Sequence, residues 1–174
     1  NHHIEIKSQL EEWANYDSLT SIFNRRYGEH LLDTIQKDMC NEDNSCCVLL
    51  ADIDCFKTIN DTHGHALGDK VLQQVMHELS KNLRSKDTLI RWGGDEILIV
   101  LPSIKLDSAL KMADRLRTVI ESCKFPRIEE VTMSFGVVTW KRKELKTSVL
   151  RRADEQLYLA KANGRNCIFP HSVP

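Results

Sequence analysis

The sequence has no long apolar run and no excess of either charge. No uninterrupted apolar stretch approaches the roughly 18 residues that a membrane-spanning helix needs. Lysine and arginine number 24 against 25 aspartates and glutamates, which gives a net charge of −1. Because binders of nucleic acid and of membrane surfaces usually carry a basic excess, we expect no nucleic-acid partner and no membrane contact. A small anionic ligand held by a few local cations remains compatible with this balance.

Cysteine is present but lacks the spacing of a metal or redox motif. None of the six cysteines forms a C-x-x-C pair. Cys46 and Cys47 are adjacent, so a disulfide between them would be strained. The others lie in mixed or apolar segments, where a reduced cysteine behaves as a small hydrophobe. We therefore expect reduced thiols and a cytoplasmic protein, or the cytoplasmic part of a larger sensor.

The length of 174 residues predicts one domain with a short appended segment. Residues 1–16 carry Ile6, Leu10, Trp13 and Tyr16 on one helical stripe. This linker helix is either the first helix of the domain or the end of a coiled coil from an upstream domain. Asp17 then turns the chain, and residues 17–174 form the main domain.

Helical and strand patterns alternate through the main domain. One connection, at Gly93 and Gly94, is a tight hairpin, so the sheet must be mixed rather than parallel. These glycines are expected to have φ > 0, because glycine adopts such a backbone without steric strain. The predicted fold class is α/β, with a mixed central sheet of about five strands flanked by helices. Strands are expected at 46–54, 88–92, 96–102, 131–138 and 166–169, and helices at 24–40, 55–63, 68–83, 105–122 and 147–163.

Two pairs of acids stand at strand ends. Asp52 and Asp54 end one apolar strand, and Asp95 and Glu96 begin another after the glycine turn. If the strands are neighbours, the four carboxylates converge, and like charges beside buried strands need a cation. Mg²⁺ suits carboxylates and phosphate oxygens. In the alternative interpretation, Asp54 caps the next helix and the turn acids are merely solvated.

Several residues could hold a nucleotide beside such a metal. Lys57, Lys161 and Arg165 are cations for phosphate, although Lys161 and Arg165 could instead compensate a helix C-terminus. The segment from Asn60 to Asp69 contains both an amide and a carboxylate, which together can read a guanine edge. A zinc site at His63 and His65 lacks a third ligand at a usual spacing. Spacing alone therefore indicates an Mg²⁺-dependent nucleotide site.

Five motifs together resemble the GGDEF domain family, the diguanylate cyclases. They cover nearly the whole chain after residue 17, in the family's order, which makes the resemblance specific. The motifs are "DSLTSIFNRRY", "ADIDCFKTINDTHGHALGD", "RWGGDEI", "VTMSFGV" and "RRADEQLYLAKANGRN".

The resemblance implies a fold and a reaction. The fold would be that of nucleotidyl cyclases and polymerase palms. Two GTP molecules would condense to cyclic di-GMP and two pyrophosphates across a homodimer, with Mg²⁺ as cofactor and Mn²⁺ as a substitute. Each domain would hold one GTP, and each 3′-hydroxyl would attack the α-phosphate of the other nucleotide. Metal charge and positioning would carry most of this in-line displacement.

The resemblance also implies roles for individual residues, which are GTP contacts, metal ligands or catalytic groups. Asp95 would bind metal and act as base toward the 3′-hydroxyl, and Glu96 would assist. Asp52 and the carbonyl of Ile53 would complete the metal site. The GTP-binding residues would be Asn60 and Asp69 for guanine, Lys57, Lys161 and Arg165 for phosphates, His65 near the substrate, and Gly93 and Gly94 close to the triphosphate.

A second ligand site is implied by the R-x-x-D pair of Arg84 and Asp87. The pair resembles the family's inhibitory site for its own product, and Arg115 falls at the position of a further arginine there. Guanidinium groups suit guanine edges and phosphates. In the alternative interpretation this pair is only a surface salt bridge.

The sequence departs from the family motif at Ile97, where the family has phenylalanine. Ile97 is expected to face the core, so the chemistry should be unaffected. Deviations in this motif accompany inactive members, however. The alternative function is therefore a non-catalytic module that binds GTP or cyclic di-GMP for regulation.

Overall fold

A computed structural model describes residues 14–39 and 45–170 of the chain. It contains one mixed sheet in the strand order β1-β3-β4-β2-β5-β6. The strands are β1 (Phe23–Asn24), β2 (Cys46–Ile53), β3 (Thr88–Arg91), β4 (Glu96–Pro102), β5 (Met133–Thr139) and β6 (Ile168–Phe169). The helices are α1 (Arg25–Asp38), α2 (Phe56–His63), α3 (His65–Lys81), α4 (Leu106–Ser122) and α5 (Lys146–Ala162).

Strand β2 lies at the centre of the sheet and is buried along its whole length. It pairs antiparallel with β4 on one side and with β5 on the other. A strand covered on both faces needs a nearly continuous apolar sequence, which "CCVLLA" provides. The register sets Asp52 opposite Glu96 of β4 and Ser134 of β5. The end of β2 is therefore where polar side chains from three strands meet.

The helices cover both faces of the sheet and define two cores. Alternate residues of β2 point to opposite faces. Leu49 packs with Val75 of α3 and Leu116 of α4 in one core. Leu50 packs with Leu32 of α1 and Leu157 of α5 in the other. The result is a three-layer α/β arrangement.

The predicted fold class is confirmed, with differences in detail. The sheet has six strands rather than five, because the two-residue strand β1 carries too little pattern to be recognised from sequence. Helix α3 begins at His65, directly after Gly64. Most of the predicted linker helix lies outside the described residues. Tyr16 pairs with Phe23 in an isolated bridge. No helix in 14–39 or 45–170 is both long and apolar enough to cross a membrane.

Helix α5 packs directly on β5 at Gly136. A Cβ atom at this position would lie 2.3 Å from the carbonyl oxygen of Ala153 and 2.4 Å from the backbone nitrogen of Leu157. Both contacts are with helix backbone, which cannot move aside as a flexible side chain could. The absence of a side chain at Gly136 thus sets how closely α5 approaches the sheet.

A salt bridge fixes the connection that leads into α5. The carboxylate of Glu144 accepts hydrogen bonds from Arg152 at 2.8 and 2.6 Å, from the backbone of Lys141 at 3.0 Å and from the hydroxyl of Ser148 at 2.9 Å. Burial raises the pKa of Glu144, but these hydrogen bonds outweigh it and lower the pKa from 4.5 to about 2. The carboxylate therefore stabilises the folded chain in its charged form.

The depressed pKa predicts a specific dependence of stability on pH. The contribution of Glu144 is complete above its unfolded-state pKa of 4.5 and is lost as the pH falls toward about 2. Glu144→Gln should lower the free energy of unfolding at pH 7 by about 3 kcal/mol. The difference in unfolding free energy between wild type and variant should be smaller at pH 3. Urea unfolding at both pH values, with exposed Glu130→Gln as control, measures this. An equal gap at both pH values would contradict the prediction.

Candidate active site

The acids at the ends of β2 and β4 lie side by side. Asp52 faces Glu96 across the β2–β4 pair, and Asp95 immediately precedes β4. Asp52 is 7% exposed. Its Oδ2 atom accepts a hydrogen bond from Nζ of Lys161 on α5, and its Oδ1 atom is buried without a partner among the described residues. Glu96 borders a cavity of about 390 Å³ between α1 and α5.

The pKa of Asp52 is raised by its surroundings. Burial raises its pKa, and the adjacent carboxyl group of Asp95 raises it further, so that the pKa reaches about 8 even though Lys161 acts in the opposite direction. Lys161 alone therefore does not stabilise the charged form of Asp52 beside Asp95 in this buried position, and an added cation would do so. The position is therefore suited to an added cation.

The donor set fits a hard cation that shares its ligands with a substrate. In the described ranges, no three His, Cys, Asp or Glu side chains gather into a ready-made metal cluster. This result does not support a zinc site at His63 and His65. Asp52, Asp95 and the carbonyl of Ile53 offer oxygen ligands only. Mg²⁺ commonly takes one or two carboxylates and completes its shell with water and phosphate oxygens, so these residues fit magnesium.

The hairpin turn has a different backbone from the one predicted. The backbone N–H groups of Trp92 and Gly93 both donate to the carbonyl of Glu96, at 2.9 and 3.2 Å. Neither Gly93 nor Gly94 is among the residues with positive φ, so the predicted left-handed backbone is wrong. A Cβ at Gly93 would lie 2.7 Å from Oε2 of Glu96, whereas a Cβ at Gly94 would meet nothing within 4 Å. Gly93 therefore accommodates the Glu96 side chain, and Gly94 leaves the turn open to a ligand.

Arg91 holds the turn in place, and the sequence analysis missed it. Its guanidinium donates to the carbonyl of Gly94 at 3.1 and 3.0 Å and to the carboxylate of Asp17 at 3.0 Å. Asp17 in turn accepts hydrogen bonds from the backbone and hydroxyl of Thr20. The segment preceding β1 is thereby joined to the turn that carries Asp95. An arginine two residues before a glycine turn was the available sequence signal.

Asp54 does not belong to the acidic group, and it does not cap the following helix. Strand β2 ends at Ile53, and the position before α2 is occupied by Cys55, which makes no side-chain cap hydrogen bond. The Asp54 carboxylate instead accepts hydrogen bonds from Thr132, Ser134 and the backbone of Asn166. Its negative charge is satisfied by donors from elsewhere in the fold. Both predicted functions of Asp54 are therefore wrong.

The residues predicted to contact guanine lie on the adjoining helices α2 and α3. Oδ1 of Asn60 is buried without a described partner and sits against Gly68, where a Cβ would lie 1.8 Å away. Asp69 follows Gly68 on α3 and is exposed, as is His65 at the start of that helix. Lys57 is exposed on α2. These side chains make no direct contact with the acids in the structure.

The two cations predicted at the end of α5 are placed differently. Lys161 contacts Asp52, so it belongs to the acidic group. Arg165 is exposed in the loop after the helix. Its side chain forms no hydrogen bond or ion pair with the described residues.

The R-x-x-D residues contact each other in the turn between α3 and β3. Arg84 donates to Asp87 through its side chain at 2.6 to 3.1 Å and through its backbone at 2.8 Å. Arg115 of α4 reaches the same turn and donates to the carbonyl of Asn82 at 2.6 Å. A cavity of about 290 Å³ adjoins Arg84 and Asp87. The structure therefore joins Arg84 to Asp87 and places Arg115 against the same turn, where it lines a second cavity.

Comparisons with known proteins agree with this geometry. The family model "Diguanylate cyclase, GGDEF domain" matches residues 14–167. The diguanylate cyclase DgcM of Escherichia coli is 35% identical over 164 residues, which are 94% of this chain and 40% of that protein. The response regulator PleD of Caulobacter vibrioides is 39% identical over 163 residues, which are 90% of this chain and 36% of that protein.

The solved structures show the same fold. The coiled coil and GGDEF domain of DgcB from Caulobacter crescentus, in complex with c-di-GMP, matches with a TM-score of 0.90 at 28% identity. The match covers 95% of this chain and 90% of that one. The chain spans 40% of the length of DgcM and 36% of that of PleD, so it corresponds to one part of these longer proteins.

Proposed function

The chain belongs to the diguanylate cyclase GGDEF domain family, and on that premise we propose that it condenses two GTP molecules to cyclic di-GMP and two pyrophosphates. The observation that carries the proposal is the pair of Asp52 and Asp95. Their carboxyl groups are adjacent, and one of them is buried with an oxygen lacking a partner among the described residues. A nucleotidyl transfer needs such a cation-binding position beside the reacting phosphate.

Asp52, Asp95 and the carbonyl of Ile53 would hold Mg²⁺, or Mn²⁺ in its place, and Glu96 would assist them. The bound metal would neutralise charge that develops on the α-phosphate oxygens. Asp95, at the open turn, accepts the proton of the attacking 3′-hydroxyl. Gly94 leaves room for the triphosphate to approach the turn, and Gly93 lets the Glu96 side chain fold against it.

Separate groups of residues would bind the guanine base and the triphosphate of GTP. Asn60 and Asp69 would read the guanine edge, with the amide group donating to O6 and the carboxylate accepting from the N1 and N2 hydrogens. Lys57, Lys161 and Arg165 bind the triphosphate, and His65 lies near the substrate. Lys161 contacts Asp52 in the structure, so it would exchange this contact for phosphate when metal and GTP bind.

The reaction would need two copies of the chain. One domain supplies one set of acids and one GTP, so each 3′-hydroxyl must meet an α-phosphate held by a facing domain. We propose a homodimer as the catalytic unit and a cytoplasmic location, where GTP is available.

The first test is incubation of the protein with GTP and Mg²⁺ over a range of protein concentrations, with chromatographic separation of the nucleotides. We expect cyclic di-GMP, with a rate that rises more steeply than linearly with protein concentration because two domains must meet. GTP binding without turnover, even at high concentration, would instead support the regulatory module. Ile97 does not favour that alternative, because its side chain is fully buried in the apolar core.

We further propose that Arg84, Asp87 and Arg115 bind cyclic di-GMP and inhibit the enzyme. Arg84→Ala should raise the inhibition constant for cyclic di-GMP by about tenfold or more, since a charged contact to the ligand is lost. Initial rates at increasing cyclic di-GMP concentrations measure this. Lys86→Ala removes an exposed cation from the same turn and should leave inhibition unchanged. If Arg84→Ala also leaves it unchanged, this site is not inhibitory.

A further inference from the structure

The loop between α5 and β6 has an unusual backbone. Gly164, Arg165 and Asn166 all have positive φ, at 101°, 64° and 44°. A left-handed conformation is easy for glycine but unfavourable for arginine, and consecutive non-glycine residues rarely adopt it. Such a conformation persists only when the surrounding structure fixes it. The contacts of this loop therefore determine where Arg165 is held.

Asp54 provides the first of these contacts. Its Oδ2 atom accepts a hydrogen bond from the backbone nitrogen of Asn166 at 2.9 Å and from the hydroxyl of Thr132 at 2.8 Å. Its Oδ1 atom accepts from the hydroxyl of Ser134 at 2.7 Å. Asp54 is 7% exposed, so these are charge-assisted hydrogen bonds in a largely water-free position. They join the end of β2 to the loop.

The side chain of Asn166 provides a second contact, on the opposite side. Its Nδ2 atom donates to Glu121 at 2.7 Å, and its Oδ1 atom accepts from Arg117 at 2.9 Å. Arg117 and Glu121 form an ion pair on α4 at 2.8 Å. Asn166 is thus held through its backbone by β2 and through its side chain by α4.

Arg165 lies between these contacts but has none of its own through the side chain among the described residues. Only its backbone is tied, by a hydrogen bond from its nitrogen to the carbonyl of Ala160 at 3.1 Å. The guanidinium of Arg165 therefore lies on a firmly held backbone and is available to bind an external anionic ligand. Asp54 links this backbone to the strand end that carries Asp52, because it binds the N–H of Asn166 and follows Asp52 and Ile53 directly.

We infer that Asp54 and Asn166 are positioning residues for the triphosphate, which act through Arg165 and do not bind the metal. This inference rests on the proposed function, since it takes GTP as the ligand. Asp54 joins the loop to the end of β2 that carries the proposed metal ligands Asp52 and Ile53. Asn166 holds the loop against α4. Without them the left-handed backbone relaxes and Arg165 no longer meets the phosphates.

The inference is tested by the affinity for 3′-deoxy-GTP in the presence of Mg²⁺, a probe that lacks the attacking hydroxyl. Asp54→Ala should raise the dissociation constant for 3′-deoxy-GTP, measured by calorimetry, by about tenfold. This is the effect expected when one charge-assisted contact to phosphate is lost. In the cyclase assay the KM for GTP should rise similarly, while kcat at saturating GTP changes by less than about threefold. Asp54→Asn should restore most of the affinity, because its amide can accept from Asn166 and donate to Ser134.

A double-mutant cycle separates positioning from a general structural effect. In an Arg165→Ala background, Asp54→Ala should weaken binding by less than about twofold, because the residue through which it acts is already absent. Full additivity of the two changes, or a lower kcat with unchanged KM, would overturn the inference.

A second variant keeps the test decisive if Asp54→Ala does not fold. Asn166→Gly permits the left-handed backbone and keeps the N–H that binds Asp54, but it loses both contacts to α4. It should weaken 3′-deoxy-GTP binding by about threefold, again only when Arg165 is present. Unchanged affinity in a folded Asn166→Gly protein would overturn the inference. A wild-type protein that binds no GTP analogue would overturn the proposed function as well, whereas an active wild type with unaffected variants overturns this inference alone.

Discussion

Asp95→Asn should reduce the formation of cyclic di-GMP by about 10³-fold or more, because the substitution removes both a metal-binding charge and the base for the 3′-hydroxyl. The substitution nearly preserves the size of the side chain, and Asp95 takes no part in the core. GTP binding should therefore weaken only a few-fold, since the proposed guanine and phosphate contacts remain. Chromatographic product analysis and calorimetry with 3′-deoxy-GTP measure the two effects separately.

The control for this variant is an exposed aspartate on a different element. Asp107→Asn removes the same charge from the first turn of α4 and should leave the rate within about twofold of wild type, as surface substitutions usually do. An Asp95→Asn protein that retains more than a tenth of the activity would contradict both the metal-binding and the base assignment. Equal losses in the two variants would point to an effect of net charge rather than of position.

Gly136→Ala should lower the free energy of unfolding by about 3 kcal/mol, the upper part of the range for overpacked interiors. The added methyl group would meet the backbone of α5 at 2.3 and 2.4 Å, so the helix must shift away from β5. Because α5 carries Lys161, the shift should also lower cyclase activity in the protein that remains folded. Urea unfolding and the cyclase assay test the two consequences.

Gly94→Ala is the matched glycine control for stability. A Cβ at Gly94 meets nothing within 4 Å, and its backbone is not left-handed. Its free energy of unfolding should stay within about 0.5 kcal/mol of wild type. If Gly136→Ala also changes the free energy of unfolding by less than about 0.5 kcal/mol, α5 does not pack so closely on β5 at Gly136.

The predicted convergence of Asp52 with Asp95 and Glu96 is confirmed, because the condition on which it depended, that β2 and β4 are neighbouring strands, is met in the structure. Apolar runs identify β2 and β4, the glycines identify the hairpin, and antiparallel neighbours place the two acidic ends together. Burial of Ile97 follows from its place in the apolar run of β4. Apolar runs and turn residues were sufficient to identify the two strands and their acidic ends, whereas the pairing of β2 with β4 is a property of the folded sheet.

The predictions that were wrong or missing concern residues whose contacts depend on distant parts of the chain. The partners of Asp54 lie 78 to 112 residues away in sequence, and no local pattern shows that two hydroxyls and an N–H will surround it. Gly93 was recognised as a turn residue for the wrong reason, because glycine serves both for positive φ and for close approach of another group. Arg91 was missed since its two acceptors, Asp17 and Gly94, come together only in the folded sheet.

The central position of β2 has a consequence for the order in which the chain becomes functional during synthesis. Asp52 lies on the earliest of the long strands, yet it contacts Lys161, which lies 109 residues later. Neither neighbour of β2 exists until β4 and β5 have been made, and closing such long loops is slow. A growing chain therefore exposes an unpaired apolar strand for much of its synthesis, which favours aggregation and calls for chaperone protection. Under the proposed function, GTP would be bound only after α5 and its following loop have left the ribosome, so an incomplete chain would make no cyclic di-GMP.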